Sequence, residues 1–120
     1  MNFCFDDLYS YRFMYDCHSK EIEISFDSYY NEDSDYLVEK DCTLSICGWT
    51  TAKGRLSKDK HWSSNFEYFV GIVDMILRIE EDDDEKGSYL TMTVITNDDR
   101  YVDWYFENAK IKFVVNCRVN

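Results

Sequence analysis

The sequence has no proline, only four glycines and two histidines, and 13 Lys and Arg against 24 Asp and Glu. Each shortage argues against a class of function. Phosphate binding needs a cationic surface, and a net charge of −11 argues against it, so direct nucleic-acid binding is not expected. The same charge disfavours docking on an anionic membrane. The longest apolar run is the short stretch 68–73, far below the roughly 20 residues of a membrane-spanning helix. The opening MNFCFDDLYS has neither a basic head nor a continuous apolar stretch, and does not read as a secretory signal.

So few glycines provide little material for a phosphate cradle, and no P-loop, dinucleotide fingerprint or G-x-S-x-G elbow occurs. A zinc site needs short paired ligand spacings, repeated. Cys42 and Cys47 would point to opposite faces of one strand, and Cys17-His18 has no second pair. The acid run 80–85 suggests a calcium loop. Counted from Asp82, however, the fifth ligand position is Lys86 and the twelfth Thr93, which breaks the EF-hand pattern. Among so many acids no particular carboxylate pair is singled out for acid–base work. The five cysteines are odd in number and show no dense framework, so they read as reduced thiols of a cytoplasmic protein. Each is first of all a small buried hydrophobe. The expectation is a protein without cofactor or metal, and not an enzyme.

What the chain does have is aromatic mass, with eight Phe, ten Tyr and three Trp in 120 residues, and a period of two. The length suits one domain, 1–120, able to bury roughly two thirds of its unfolded surface. Tyr9, Tyr11, Phe13 and Tyr15 share one face of 8–15. Ile22, Ile24 and Phe26 alternate with Glu21, Glu23, Ser25 and Asp27, and the intervening 17–20 reads as a hairpin turn. Cys42, Leu44 and Ile46 repeat the pattern, as do Val102, Trp104 and Phe106, and Ile111, Phe113 and Val115. Residues 68–79 and 88–96 are longer β-rich runs joined by a turn at 82–87. Further turns fall at 97–99 and 107–108. The run 66–79 also fits a helical stripe, but its β-branched residues favour a strand. The expected fold is all-β, an antiparallel meander forming a twisted sheet or sandwich, with room for one short helix in 50–75. The stretch 50–66 reads as the one long connection and carries a basic island of Lys53, Arg55, Lys58 and Lys60.

Tyr and Trp beside Asp and Glu make a composition suited to gripping a basic protein. The candidate partner-binding residues are Glu32, Asp33, Asp35, Trp49, Trp62, Asp82, Asp83, Asp84, Glu85, Tyr101 and Tyr105. The competing reading is a large-residue core with amphipathic tyrosines at its edge.

Three segments read together resemble small bacterial immunity proteins, which protect a cell against polymorphic or contact-dependent growth inhibition toxins. They are Phe5-Asp6-Asp7-Leu8 before a strand, the hairpin ending in Glu21-Ile22-Glu23-Ile24-Ser25-Phe26, and Cys42-Thr43-Leu44-Ser45-Ile46-Cys47-Gly48-Trp49. A closing Phe106-Glu107-Asn108-Ala109-Lys110-Ile111 completes the pattern, whereas the His that precedes Asp in similar sequences is replaced here by Phe5. The resemblance implies a non-enzymatic inhibitor that occludes one cognate toxin domain. Nuclease-type toxins carry basic clefts, toward which an acidic partner would be steered. The alternative is an acidic DNA mimic that inhibits a nucleic-acid enzyme, which needs carboxylates spaced along an elongated face. A third reading, a small-ligand site between sheet and 50–66 loop, would need a pocket holding a polar cluster with shifted pKa values. Oligomeric state is open.

Overall fold

The computed structural model describes residues 3–32 and 36–116. The first half of the chain forms β1 (Phe3–Cys4), β2 (Arg12–Asp16), β3 (Glu21–Phe26), β4 (Tyr29–Asn31), β5 (Tyr36–Val38) and β6 (Cys42–Cys47). The second half forms β7 (Thr51–Leu56), a single-turn helix α1 (Phe66–Phe69), β8 (Val73–Asp84), β9 (Gly87–Thr96), β10 (Tyr101–Glu107) and β11 (Lys110–Val115). The fold is all-β. Two four-stranded antiparallel sheets, ordered β11-β6-β3-β2 and β7-β10-β9-β8, are joined by a three-stranded sheet ordered β1-β4-β5.

Alternation in the sequence becomes layering. Ile22, Ile24 and Phe26 of β3 and Cys42, Leu44 and Ile46 of β6 are buried in one sheet. Leu90, Met92 and Val94 of β9 and Val102, Trp104 and Phe106 of β10 are buried in the other. All of them belong to one continuous cluster, the interior of a sandwich. The small sheet closes one end through ring contacts. Phe3 stacks on Phe113 at 4.0 Å and Phe5 on Phe26 at 4.2 Å, while Tyr29 meets Phe113 edge-on. The turns at 17–20 and 97–99 fall where the sequence places them; the one expected at 107–108 lies at 108–109, because Glu107 still pairs with Thr51 and Tyr89.

Four expectations need correction. The stretch 50–66 is not one long connection, because Thr51–Leu56 pairs with β10 as an edge strand. Its lysine- and arginine-rich pattern hides the strand, since the inward positions are filled by Ala52, Gly54 and Leu56, of which only Leu56 is a large apolar residue. Second, 66–79 is not a single strand: its first turn is α1, and the strand begins at Val73. Tertiary contacts hold that turn. The Trp104 indole Nε1–H donates to the Phe69 carbonyl at 2.9 Å and the Arg100 guanidinium to the Tyr68 carbonyl at 2.8 Å, so two orphan carbonyls at the helix end are satisfied. Phe69 fits because Gly54 lies beneath it, where an added Cβ would stand 2.5 Å from the Phe69 Cβ.

Third, Tyr9 and Tyr11 do not share the core face of Phe13 and Tyr15. They precede β2 and are 69% and 58% exposed, while the chain there bonds the start of β8 through Ser10 N–H to the Asp74 carbonyl. Fourth, the turn at 82–87 is tighter than expected. β8 continues through Asp84, and only Glu85 and Lys86 form the tip before Gly87.

Candidate partner-binding face

The outward side of the β7-β10-β9-β8 sheet carries the polar members of each alternation, and antiparallel register sets them in rows. One row runs Arg55, Asp103, Thr93, Arg78; the next Lys53, Tyr105, Thr91, Glu80; the last Thr51, Glu107, Tyr89, Asp82.

Asp103 anchors the first row. It is 3% exposed although it faces outward. Its Oδ2 accepts from the Arg55 Nε–H at 2.9 Å, and its Oδ1 accepts from the Thr93 hydroxyl at 2.8 Å and the Ser57 hydroxyl at 2.9 Å. Burial by itself pushes the carboxyl pKa up. The hydrogen bonds from Thr93, Arg55 and Ser57, with the guanidinium charge, outweigh it and hold the pKa below the ordinary carboxylate range. Asp103 is therefore an ionised structural hub.

Arg55 does a second task. Its guanidinium lies 4.1 Å from the centroid of the Trp62 ring, a cation–π contact of order 0.5–1 kcal/mol or more. From Trp62 the aromatic surface continues across the sheet. Trp62 meets Tyr105 at 5.7 Å, and Tyr105 is near-parallel to Tyr89 at 6.2 Å. The Tyr89 hydroxyl donates to Asp84 at 3.3 Å and the Tyr105 hydroxyl to Glu107 at 2.9 Å. Burial, the bond to Glu107 and nearby negative charge push the Tyr105 pKa up to about 12. Burial and then the Asp84 carboxylate raise that of Tyr89. Both phenols stay protonated donors across the physiological range. A ladder of three rings thus leads from a basic flank on β7 to the acidic β8–β9 hairpin.

The hairpin is built by local chemistry. Asp84 Oδ1 accepts from the Lys86 and Gly87 amides at 2.8 and 3.1 Å, an Asx-type turn. Asn108, with φ of 60°, clamps the neighbouring end of the sandwich: its Oδ1 accepts from the Ser88 amide and its Nδ2 donates to the Thr50 hydroxyl. Among the described residues, the ion pairs are Arg55–Asp103, Arg78–Glu80 and Arg100–Asp98. Among the described residues no cation pairs with Glu81, Asp82, Asp83 or Glu85, and all four stand exposed.

Of the residues singled out from sequence, the fold brings Trp62, Tyr105, Asp82 and Asp84 onto this one face, with Asp83 and Glu85 beside them on the hairpin. Tyr101 lies at the far end of β10, 57% exposed and apart from the ladder. Trp49 is a correction. Gly48 adopts φ of 72° and turns the chain out of β6, placing the Trp49 ring 4.9 Å from Phe106 and 6.1 Å from Phe66 at 6% exposure. It is a core side chain, out of reach of a partner. Glu32 borders a cleft between β1 and β8 on another side of the molecule. Asp33 and Asp35 lie outside the described residues.

Sequence reasoning missed Tyr89, Asp103 and the use of Arg55. The outward phase of β9 and β10 signals Tyr89 and Asp103, but nothing local marks Arg55 and Thr93 as the partners of Asp103. Two other groups are chemically quiet. Cys42 is fully buried, and burial pushes its thiol up to about 11. Cys47, on the opposite phase of β6, is half-buried. Among the described residues no three His, Cys, Asp or Glu side chains gather in a metal-holding group, and no helix is long and apolar enough to cross a membrane. No family model, no curated protein and no solved structure matches this chain.

Proposed function

We propose that this protein is a stoichiometric inhibitor of the immunity type, which neutralises a cognate basic, nuclease-type toxin domain in the cytoplasm by covering its functional surface. The observation that carries this reading is the ring ladder Trp62–Tyr105–Tyr89 ending in a hairpin whose Glu81, Asp82, Asp83 and Glu85 pair with no cation among the described residues. Rigid aromatic rings supply contact area at low entropic cost, and amphipathic Tyr and Trp dominate the energetics of protein interfaces. The surrounding carboxylates would steer a basic partner and set its encounter rate. A phosphate mimic fits this face less well, because Lys53, Arg55 and Arg78 interrupt its negative charge.

The test is affinity capture from lysate of the source organism with the wild-type protein and the Trp62→Ala/Tyr105→Ala variant side by side, washed at rising salt. The expected result is one basic polypeptide held in near-equal amount by the wild type and lost from the variant. Expression of that polypeptide should arrest growth, and co-expression of the wild-type inhibitor should restore it. A captured polypeptide that is harmless, or one held equally by the variant, would overturn the reading.

A further inference from the structure

β8 is the end strand of its sheet. One side pairs with β9, and among the described residues no strand pairs with the other. Only its beginning is covered, where Ser10 bonds the backbone of Val73 and Asp74. Two bulges, at Asp74 and Leu77, disturb the first half; from Arg78 to Asp84 the register against Thr93–Gly87 is unbroken. Among the described residues, 78–84 therefore present a regular row of backbone donors and acceptors that no strand takes up, the template to which an extended chain adds. Beside this edge, between β1 and β8, lies a cleft of about 420 Å³ with a mostly polar lining, where Asp6, Glu32 and Glu81 outnumber the one cation, Arg78, around Phe3 and Ile79.

Natural edge strands of this length are usually blunted by lysine, proline or a covering element. Here the protection is negative charge. Glu80, Asp82 and Asp84 project on one side of β8, Glu81 and Asp83 on the other, and all are exposed. A strand added to the edge sets its side chains within about 5.5 Å of these rows. A second copy of this chain paired antiparallel over 78–84 would oppose Glu80 to Asp82 and Glu81 to Glu81, with Arg78 opposite Asp84 the one complementary match, against a net charge of −11 on each molecule. A lysine- or arginine-rich strand would meet complementary charge on both faces.

We propose that the β8 edge over 78–84 binds an extended, basic segment of a partner protein by strand addition, with a lysine or arginine side chain of that segment reaching the cleft between β1 and β8, where Asp6, Glu32 and Glu81 gather. This deepens the reading of a basic protein partner and rests on it for its biological setting. The recognition itself is main-chain pairing, which tolerates many sequences, with charge selecting the occupant.

The probe is a synthetic peptide of alternating lysine and valine, added to the full-length protein and followed by amide hydrogen exchange. Alternate amides within 78–84 should become protected at least about tenfold. N-methylation of one alternate set of peptide amides should weaken binding at least about tenfold, and methylation of the other set should leave it nearly unchanged, because only one set faces the edge. Glu80→Gln combined with Asp82→Asn should weaken binding and flatten its salt dependence. Equal tolerance of both methylated sets would reduce the effect to diffuse charge attraction and overturn the proposal. So would protection of 78–84 that appears without peptide and grows with protein concentration, which would make a second copy the occupant. Trp62→Ala should leave peptide binding intact, so failure of the ring-ladder reading and failure at this edge are read separately.

Discussion

Arg55 and Asp103 stand directly opposite each other in the β7–β10 register, and the Arg55 Nε–H donates to Asp103 Oδ2 at 2.9 Å from beneath the Trp62 ring. The pair joins the stability of the sheet to the shape of its outward face, because the same guanidinium that neutralises the buried carboxylate supports the first ring of the ladder. The contact belongs to packing, and its consequence belongs to binding.

Asp103→Asn should therefore lower stability by about 1–3 kcal/mol at neutral pH, since it weakens a charge-assisted bond and leaves Arg55 without its counter-charge. The folded-state pKa of Asp103 lies below its ordinary value. Its ionic contribution is thus present above the unfolded carboxylate range, near pH 4, and is lost as pH falls through the folded pKa. Urea unfolding at pH 7 and at pH 3 checks this: the gap between wild type and variant should narrow in acid. A constant gap would show that the carboxylate charge carries none of the effect.

Gly54→Ala should cost about 1–3 kcal/mol, because the new methyl would meet the Phe69 side chain at 2.5 to 2.8 Å in a packed interior. Phe69→Ala, destabilising by itself, should relieve part of that clash, because it removes the Cγ and Cδ2 atoms at 2.7 and 2.8 Å. In a double-mutant cycle followed by thermal unfolding, the two changes together should cost less than the sum of the separate losses.

On the outward face, Trp62→Ala should reduce partner affinity more than tenfold while lowering stability by no more than about 1 kcal/mol. Neutralising Asp82 and Asp83 should act differently, slowing association at low salt with little change in dissociation. Stopped-flow association across a salt series separates the two effects. If neutralisation altered only dissociation, the carboxylates would be anchors and not steering charges.

The thiols give an independent check on packing. Cys17 is exposed in the β2–β3 turn and should react at once with a disulfide reagent in the native protein. Cys42, buried with its thiol raised to about 11, should react only as the molecule unfolds. A Cys17→Ser variant should lose one thiol equivalent from the fast phase, and the rate at Cys42 should rise with urea.

The sequence by itself determined the all-β class and the inward residues of β3, β6, β9 and β10. Alternation with period two is a local property, and one sheet face must be buried. It also marked the four hairpin turns to within a few residues, because Asp, Asn and Gly in or beside them write their backbone preferences into neighbouring residues. Where the signal was short or of the wrong composition it failed. β7 carries Lys53 and Arg55 outward and places Gly54 inward, so nothing in its own pattern announces an edge strand. α1 is a single turn that has no helical stability of its own and exists because Trp104 and Arg100 take up its last carbonyls. The partition of the aromatics was likewise decided only by the fold. Trp49 and Trp62 are equally plausible surface anchors in one dimension, yet the positive φ at Gly48 turns the first into the core, and Arg55 and Tyr105 receive the second on the sheet's outer face. Register is the physical reason: it pairs residues dozens of positions apart, and side chains from Arg55 to Asp84 become one surface only after four strands align.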